Sequence, residues 1–207
     1  MRQLIAIILT LFCIPAFGQS DTFSGKIVYE YQFLNPTTGQ DITSTLKQYF
    51  GQEQHYYANA KNYKAYDENG QLRQLYNSDT NTYYFLNPSN GQLMELDATN
   101  QSSIVISVEH SKETQQILGR ECKKLVIKTV ADETIYWFSS EITVDPESFN
   151  DHNVGNWNTY IKESKGALPL KFTVKSQNYT WIATATEVEA GNLTKKDFQI
   201  ANEFDKK

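Results

Sequence analysis

Cysteine is scarce: Cys13 and Cys122 are the two in 207 residues. Basic residues are outnumbered, 19 against 24 acidic, for a net charge of −5, which argues against nucleic acid and anionic lipid surfaces as partners. Beyond the N-terminus no apolar run approaches the roughly eighteen residues of a membrane span, so no transmembrane segment is expected in the mature chain. A helical period never persists for more than about three turns. Catalytic signatures are missing too: the chain has no Gly-x-Ser-x-Gly, no His-Glu-x-x-His and no phosphate loop. His55, His110 and His152 are scattered, and none stands in a recognisable frame with Cys122, as an activated thiol would need. These absences disfavour an enzyme and call for no cofactor.

What is present begins with an address. Met1 to Ser20 carries one basic residue and then an apolar run from Leu4 to Phe17. Ala16 and Gly18 are small residues at the positions that a signal peptidase reads before Gln19. Residues 1–18 are therefore read as a secretory signal peptide, and 19–207 as one exported domain. Cys13 follows Phe12 inside the apolar run, which is not the setting of a lipidated cysteine. Cys122 is then alone in the mature chain, so no internal disulfide forms and stability rests on the core. On its strand, Cys122 is read as a small structural residue.

Alternation of period two dominates the rest. Ile27, Tyr29, Tyr31 and Phe33 share one strand face. The segments "LKQYF", "QHYYANA", "YKAYD", "QLRQLY", "TYYFL" and "QLMELD" follow as further strands, and "SSIVISVEH" reads as a denser, more buried one. A hairpin joins "CKKLVIKTV" to "TIYWFSSEI", and Tyr179, Trp181, Ala183 and Ala185 alternate near the end. The stretches "FLNPTTGQD" at 33–41 and "FLNPSNGQL" at 85–93 repeat a turn, and "ENGQL" at 68–72 repeats its exit. Proline presets the first central position, asparagine accepts turn amides, and glycine supplies the left-handed exit. Their flanks do not match, so they are three similar hairpin turns rather than a duplicated domain.

One segment breaks the rhythm. Val144 to Lys165 begins with a cap-like Asp145 and with Pro146 at the first helical position. A helical insertion is expected at about 145–163, with Phe149, Trp157, Tyr160 and Ile161 as its apolar residues. Asp145, Glu147, Asp151 and His152 fit no calcium or zinc spacing and read as capping acids with a loop histidine. The predicted fold is thus mainly β: an antiparallel, strongly curled sheet, or half-barrel, with a short helical insertion over its concave face. Apolar residues on that face must meet a helix, a ligand or a partner. Tyr29, Tyr31, Trp137, Trp157 and Trp181 are the candidates for an apolar binding hollow.

"ILGRECKKLVI", "ETIYWFSSEI" and "GALPLKF" together resemble the GLPGLI family of exported proteins of Gram-negative bacteria. Gly119, Cys122, Lys123 and Lys124 carry the first part of the likeness, Trp137 and Glu141 the second, Leu168 and Pro169 the last; Ala167 departs from the namesake motif. The resemblance implies the half-barrel of the envelope's lipoprotein carrier and receptor, which holds acyl chains. It also implies a periplasmic or outer-membrane-associated address. The function expected is a non-catalytic carrier or binding module for a lipid, a lipidated protein or another apolar ligand, with an envelope protein as a further partner. The alternative is a structural or interaction protein whose core fills itself. Mass analysis of the exported chain should find an N-terminus at Gln19 and no lipid; a diacylated Cys13 would overturn that.

Overall fold

The computed structural model describes residues 22–201, so the signal-peptide reading, its cut before Gln19 and Cys13 lie outside the described residues. Eleven antiparallel strands form one sheet: β1 (Gly25–Leu34), β2 (Glu53–Ala58), β3 (Tyr63–Asp67), β4 (Leu72–Asn77), β5 (Thr82–Leu86), β6 (Leu93–Asp97), β7 (Val105–Ile117), β8 (Arg120–Thr129), β9 (Glu133–Thr143), β10 (Ala167–Lys175) and β11 (Thr180–Ala190). Their order is β6-β5-β4-β3-β2-β1-β11-β10-β9-β8-β7. Two meanders are therefore joined where β1 pairs with β11, in a register that sets Tyr31 opposite Ala183 and Phe33 opposite Trp181. The outer strands β6 and β7 do not pair, and the sheet curls without closing, as the alternation predicts.

Inward-facing residues build the core. Ile27, Tyr29, Tyr31 and Phe33 are all buried, and Tyr56, Tyr63 and Tyr76 continue the same face across β2, β3 and β4. The opposite face is covered locally by a 3-10 turn, Lys195–Phe198, whose fully buried Phe198 lies 5.9 Å from the Lys64 ammonium. Thr194 and Asp197 close that turn with a reciprocal capping box.

The repeated turns use one solution. Asn35 and Asn87 each accept backbone amides on their side-chain oxygens, and Gly39 and Gly91 take positive φ of 71° and 67°. The second turn joins β5 to β6 and the Gly70 turn joins β3 to β4, whereas the first leads into a helix. This corrects the reading of "LKQYF" as a strand: Leu46 to Phe50 belongs to α1 (Thr43–Phe50). Ile42, Leu46 and Phe50 recur every fourth residue and pack on the core together, a helical stripe that outweighs the local alternation. A second correction concerns "SSIVISVEH". Its strand, β7, is an edge, and Ile104 and Ile106 are 64% and 66% exposed.

Between β9 and β10 runs the helical insertion: a 3-10 turn at Pro146–Phe149, a second at Val154–Asn156, and α2 (Trp157–Glu163). Asp145 caps the first by accepting from the Glu147 amide at 3.2 Å. The segment crosses the concave face, burying Phe149, Tyr160 and Ile161. At its exit Lys165 and Gly166 have φ of 57° and 84°, and the Gly166 amide donates to Ile161 O at 2.8 Å, which closes α2. A Cβ at Gly166 would collide with the Val144 carbonyl, in a backbone conformation that side chains rarely adopt. Among the described residues no helix is long and apolar enough to cross a membrane. Gly166→Ala should cost about 2 kcal/mol or more, read as a lower urea midpoint with an unchanged slope; a neutral effect would mean the insertion is not held at this end.

Candidate functional site

Curling leaves a hollow of about 360 Å³ between the concave face and the insertion. Tyr29, Tyr56 and Tyr63 form one side, Tyr136, Phe172 and Trp181 the other, and Trp157 stands at the insertion. The β8–β9 turn adds Asp132, and Ser102 and Ser103 arrive from the connection between β6 and β7.

The rings brace one another. Trp181 meets Tyr31 and Phe172 edge-on, each at 5.0 Å, and stacks near Phe33 at 6.1 Å. Tyr136 stacks on Tyr160 of α2 at 4.0 Å. Tyr63 lies beside Tyr56 at 5.2 Å and meets Trp157 edge-on at 6.0 Å. Such pairs contribute about 0.5–1.5 kcal/mol each beyond area burial. Hydroxyls add direction: Tyr29 donates to the Pro169 carbonyl at 2.6 Å, and Tyr83 donates to the Gln74 side chain at 3.0 Å. Burial raises the phenol pKa values of Tyr29, Tyr56, Tyr63, Tyr83 and Tyr136, so these phenols stay neutral at physiological pH.

Three of the five residues expected at the hollow, Tyr29, Trp157 and Trp181, line it. Tyr31 lies on the same face but is packed away beneath Trp181 and Phe33. Trp137 is not brought in. Its neighbours Tyr136 and Phe138 face Tyr160, so by the two-residue period Trp137 points to the other face. There it stands opposite Lys124 and Lys171, with the Lys124 ammonium 5.7 Å from its ring. Sequence reasoning missed Tyr56, Tyr63, Tyr136 and Phe172. Their signal was present as alternation, but the pairing that sets them beside Tyr29 and Trp181 is long-range. Cys122 is fully buried, and burial raises its thiol pKa, the opposite of an activated nucleophile.

His152 anchors the insertion. It is buried to 1% exposure, stacks on Tyr76 at 4.2 Å, and shares a 2.6 Å hydrogen bond between Nε2 and the Tyr63 hydroxyl. Around it the Tyr76 hydroxyl donates to Ser148 O, Asn153 N donates to Ala98 O, and the Gly155 amide donates to Ser102 Oγ.

No family model matches the chain, and no curated protein matches it. Among solved structures, two crystal forms of PNGF-II overlay with TM-scores of 0.48 and 0.46, each at 16% identity. They cover 84% and 85% of this chain, which spans 29% and 30% of theirs. A domain from Vibrio parahaemolyticus described as an outer membrane lipoprotein-sorting protein overlays at 0.36 with 7% identity, covering 88% of this chain and 93% of its own. Likeness at this level carries no functional information.

Burial lowers the His152 pKa from 6.5 to about 3. Between those values the unfolded chain binds a proton that the folded chain refuses. This contribution to stability is full above about pH 6.5 and is lost as the pH falls toward 3, at about 1.4 kcal/mol per pH unit. His152→Gln should therefore flatten the acid limb by about one proton in urea titrations from pH 6.5 down to 4; parallel limbs for the two proteins would place the histidine outside the folding equilibrium.

Proposed function

We propose that this protein is a non-catalytic binding module whose concave hollow takes up one apolar molecule. The observation that carries the reading is the hollow itself. Its volume falls within the range of about 300–1,000 Å³ typical of small-molecule sites, and its walls are mainly aromatic. A concave face filled by its own side chains would leave no open pocket of this size. Here the insertion is docked, its Phe149, Tyr160 and Ile161 are buried, and space remains beside them. Affinity would come from burying apolar surface, at about 25 cal/mol per Å² less the cost of ordering the ligand.

The export signal read in residues 1–18 and the resemblance to exported proteins of Gram-negative bacteria support an envelope address for the module. A lipid or a lipidated protein is the cargo class that suits such a hollow there, with an envelope protein as donor or acceptor. Native mass spectrometry of the chain taken from the periplasm should find a bound apolar molecule.

Trp157 and Trp181 both line the space, so a fluorescent hydrophobic probe inside it should accept energy from them. Val174 also lines it, and Val174→Trp should fill it and weaken the probe at least about tenfold, a loss of roughly 1.4 kcal/mol. Trp157→Ala should raise probe binding while far-ultraviolet circular dichroism stays intact. Probe uptake that ignores both substitutions would refute the site.

A further inference from the structure

Charge in the hollow has one sign. Asp132 alone among the lining residues is formally charged, and no lysine, arginine or histidine takes part. Asp132 is half-buried in the turn between β8 and β9, so it keeps contact with water while bordering the hollow. The Thr129 hydroxyl lies 3.1 Å from one of its carboxylate oxygens. Two lysines beside this turn, Lys128 and Lys175, are tied to Glu133 instead, at 3.5 and 2.8 Å. Asp132 therefore has no ion-pair partner among the described residues. Its field reaches the aromatic wall all the same: burial is the main cause of the raised Tyr136 phenol pKa, and the Asp132 charge adds to the rise. Eight aromatic side chains share the lining, five of them tyrosines and two of them tryptophans. The π faces of such rings carry partial negative charge and attract cations. Carboxylate and rings thus favour the same sign, and no positive group in the lining opposes them.

We infer that the hollow takes an apolar molecule bearing a cationic head of the quaternary ammonium class, with the head beside Asp132 and the apolar remainder among the rings. The inference rests on the reading of the hollow as a binding site and names its ligand class. A primary ammonium brings three N–H donors that need acceptors, and in the wall Gln74 Oε1 already accepts from Tyr83. A quaternary head brings none, so leaving water costs it less. Beside the half-buried Asp132 it keeps part of its water, which spares the expense of burying a charge pair in full. An anionic head would meet the carboxylate with no cation in the lining to offset it.

The probes are octyltrimethylammonium, octylammonium, octyl glucoside and octanesulfonate, which share one tail. Each competes below its micelle concentration against a neutral fluorescent dye, at pH 7.5 and low salt, with the protein intact. Octyltrimethylammonium should displace the dye at a concentration about tenfold lower than octanesulfonate, with octyl glucoside between them and octylammonium weaker than the quaternary ion. Asp132→Asn should shrink the ratio of quaternary ion to sulfonate severalfold. Glu121→Gln removes an exposed charge outside the hollow and should leave that ratio in place, which separates the local charge from the net charge of the chain. Displacement by octanesulfonate equal to or stronger than that by the quaternary ion would overturn the inference while the binding site stands. So would stronger displacement by octylammonium, or equal shrinkage in the two variants. If the dye and all four probes fail to bind, the binding site falls with it. The quaternary and primary ions carry the same charge, so their ranking in the unaltered protein decides the matter even if a variant does not fold.

Discussion

Everything in this structure depends on how the two edges of the sheet are tied. Strands β6 and β7 are consecutive in the chain yet lie at opposite ends of an eleven-stranded sheet. Laid flat, with neighbours about 4.8 Å apart, those edges would be some 48 Å from each other. The link from Asp97 to Val105 can reach no further than about 28 Å even when fully extended. The sheet must therefore curl, and the link must cross its open side. It does so with Ala98 fully buried and Ser102 and Ser103 at the hollow. Strand twist supplies the tendency to curl, and this short tether sets how far it goes.

The helical insertion exploits the same geometry. It leaves the sheet from β9 and returns to β10, but its hydrogen bonds reach the other meander. Asp145 N donates to Ala60 O, Asn81 Nδ2 donates to Asp151 O, and Asn153 Nδ2 donates to Thr99 O. With His152 seated between Tyr63 and Tyr76, the segment is a strap across the half-barrel rather than a cover resting on it. Its helices are short and contain Gly155 and Asn156 at positive φ, so propensity contributes little to its stability. Docking holds it, through contacts that alternate between polar anchors and buried rings. Any movement that enlarged the hollow would break several of these bonds together.

How much of this was legible in the residues follows from range. Alternation in β1 gave the buried face of Ile27, Tyr29, Tyr31 and Phe33, because period two is a local property of the strand. Asp145 and Pro146 marked the insertion for the same reason. Trp137 went astray although its strand was recognised, since alternation separates two faces without saying which is concave. That depends on Tyr160 meeting Tyr136, a contact across the insertion. In α1, the stripe Ile42, Leu46 and Phe50 was written in the sequence but masked by neighbouring aromatic residues that favour strands. Exposure of Ile104 and Ile106 follows from β7 being an edge, and strand order is a property of the whole sheet.

An open hollow of this size raises the question of why its walls do not lean into it. Apolar side chains relax toward a cavity as far as their backbone lets them. Here the tyrosines are held from their far ends. The Tyr29 hydroxyl is fixed to the Pro169 carbonyl on β10, the Tyr63 hydroxyl to His152, the Tyr76 hydroxyl to Asn81 and Ser148, and the Tyr83 hydroxyl to Gln74. Each ring is thus pinned at both its Cβ and its oxygen, and cannot swing inward without abandoning a buried hydrogen bond. Phenylalanine in the same places would have the area but not the second anchor. The abundance of tyrosine on this concave face, thirteen in the whole chain against eleven phenylalanines, is in that light a device for keeping space open. Tyr56 lacks such a partner for its buried hydroxyl, and its ring is held instead by packing against Tyr29 and Tyr63.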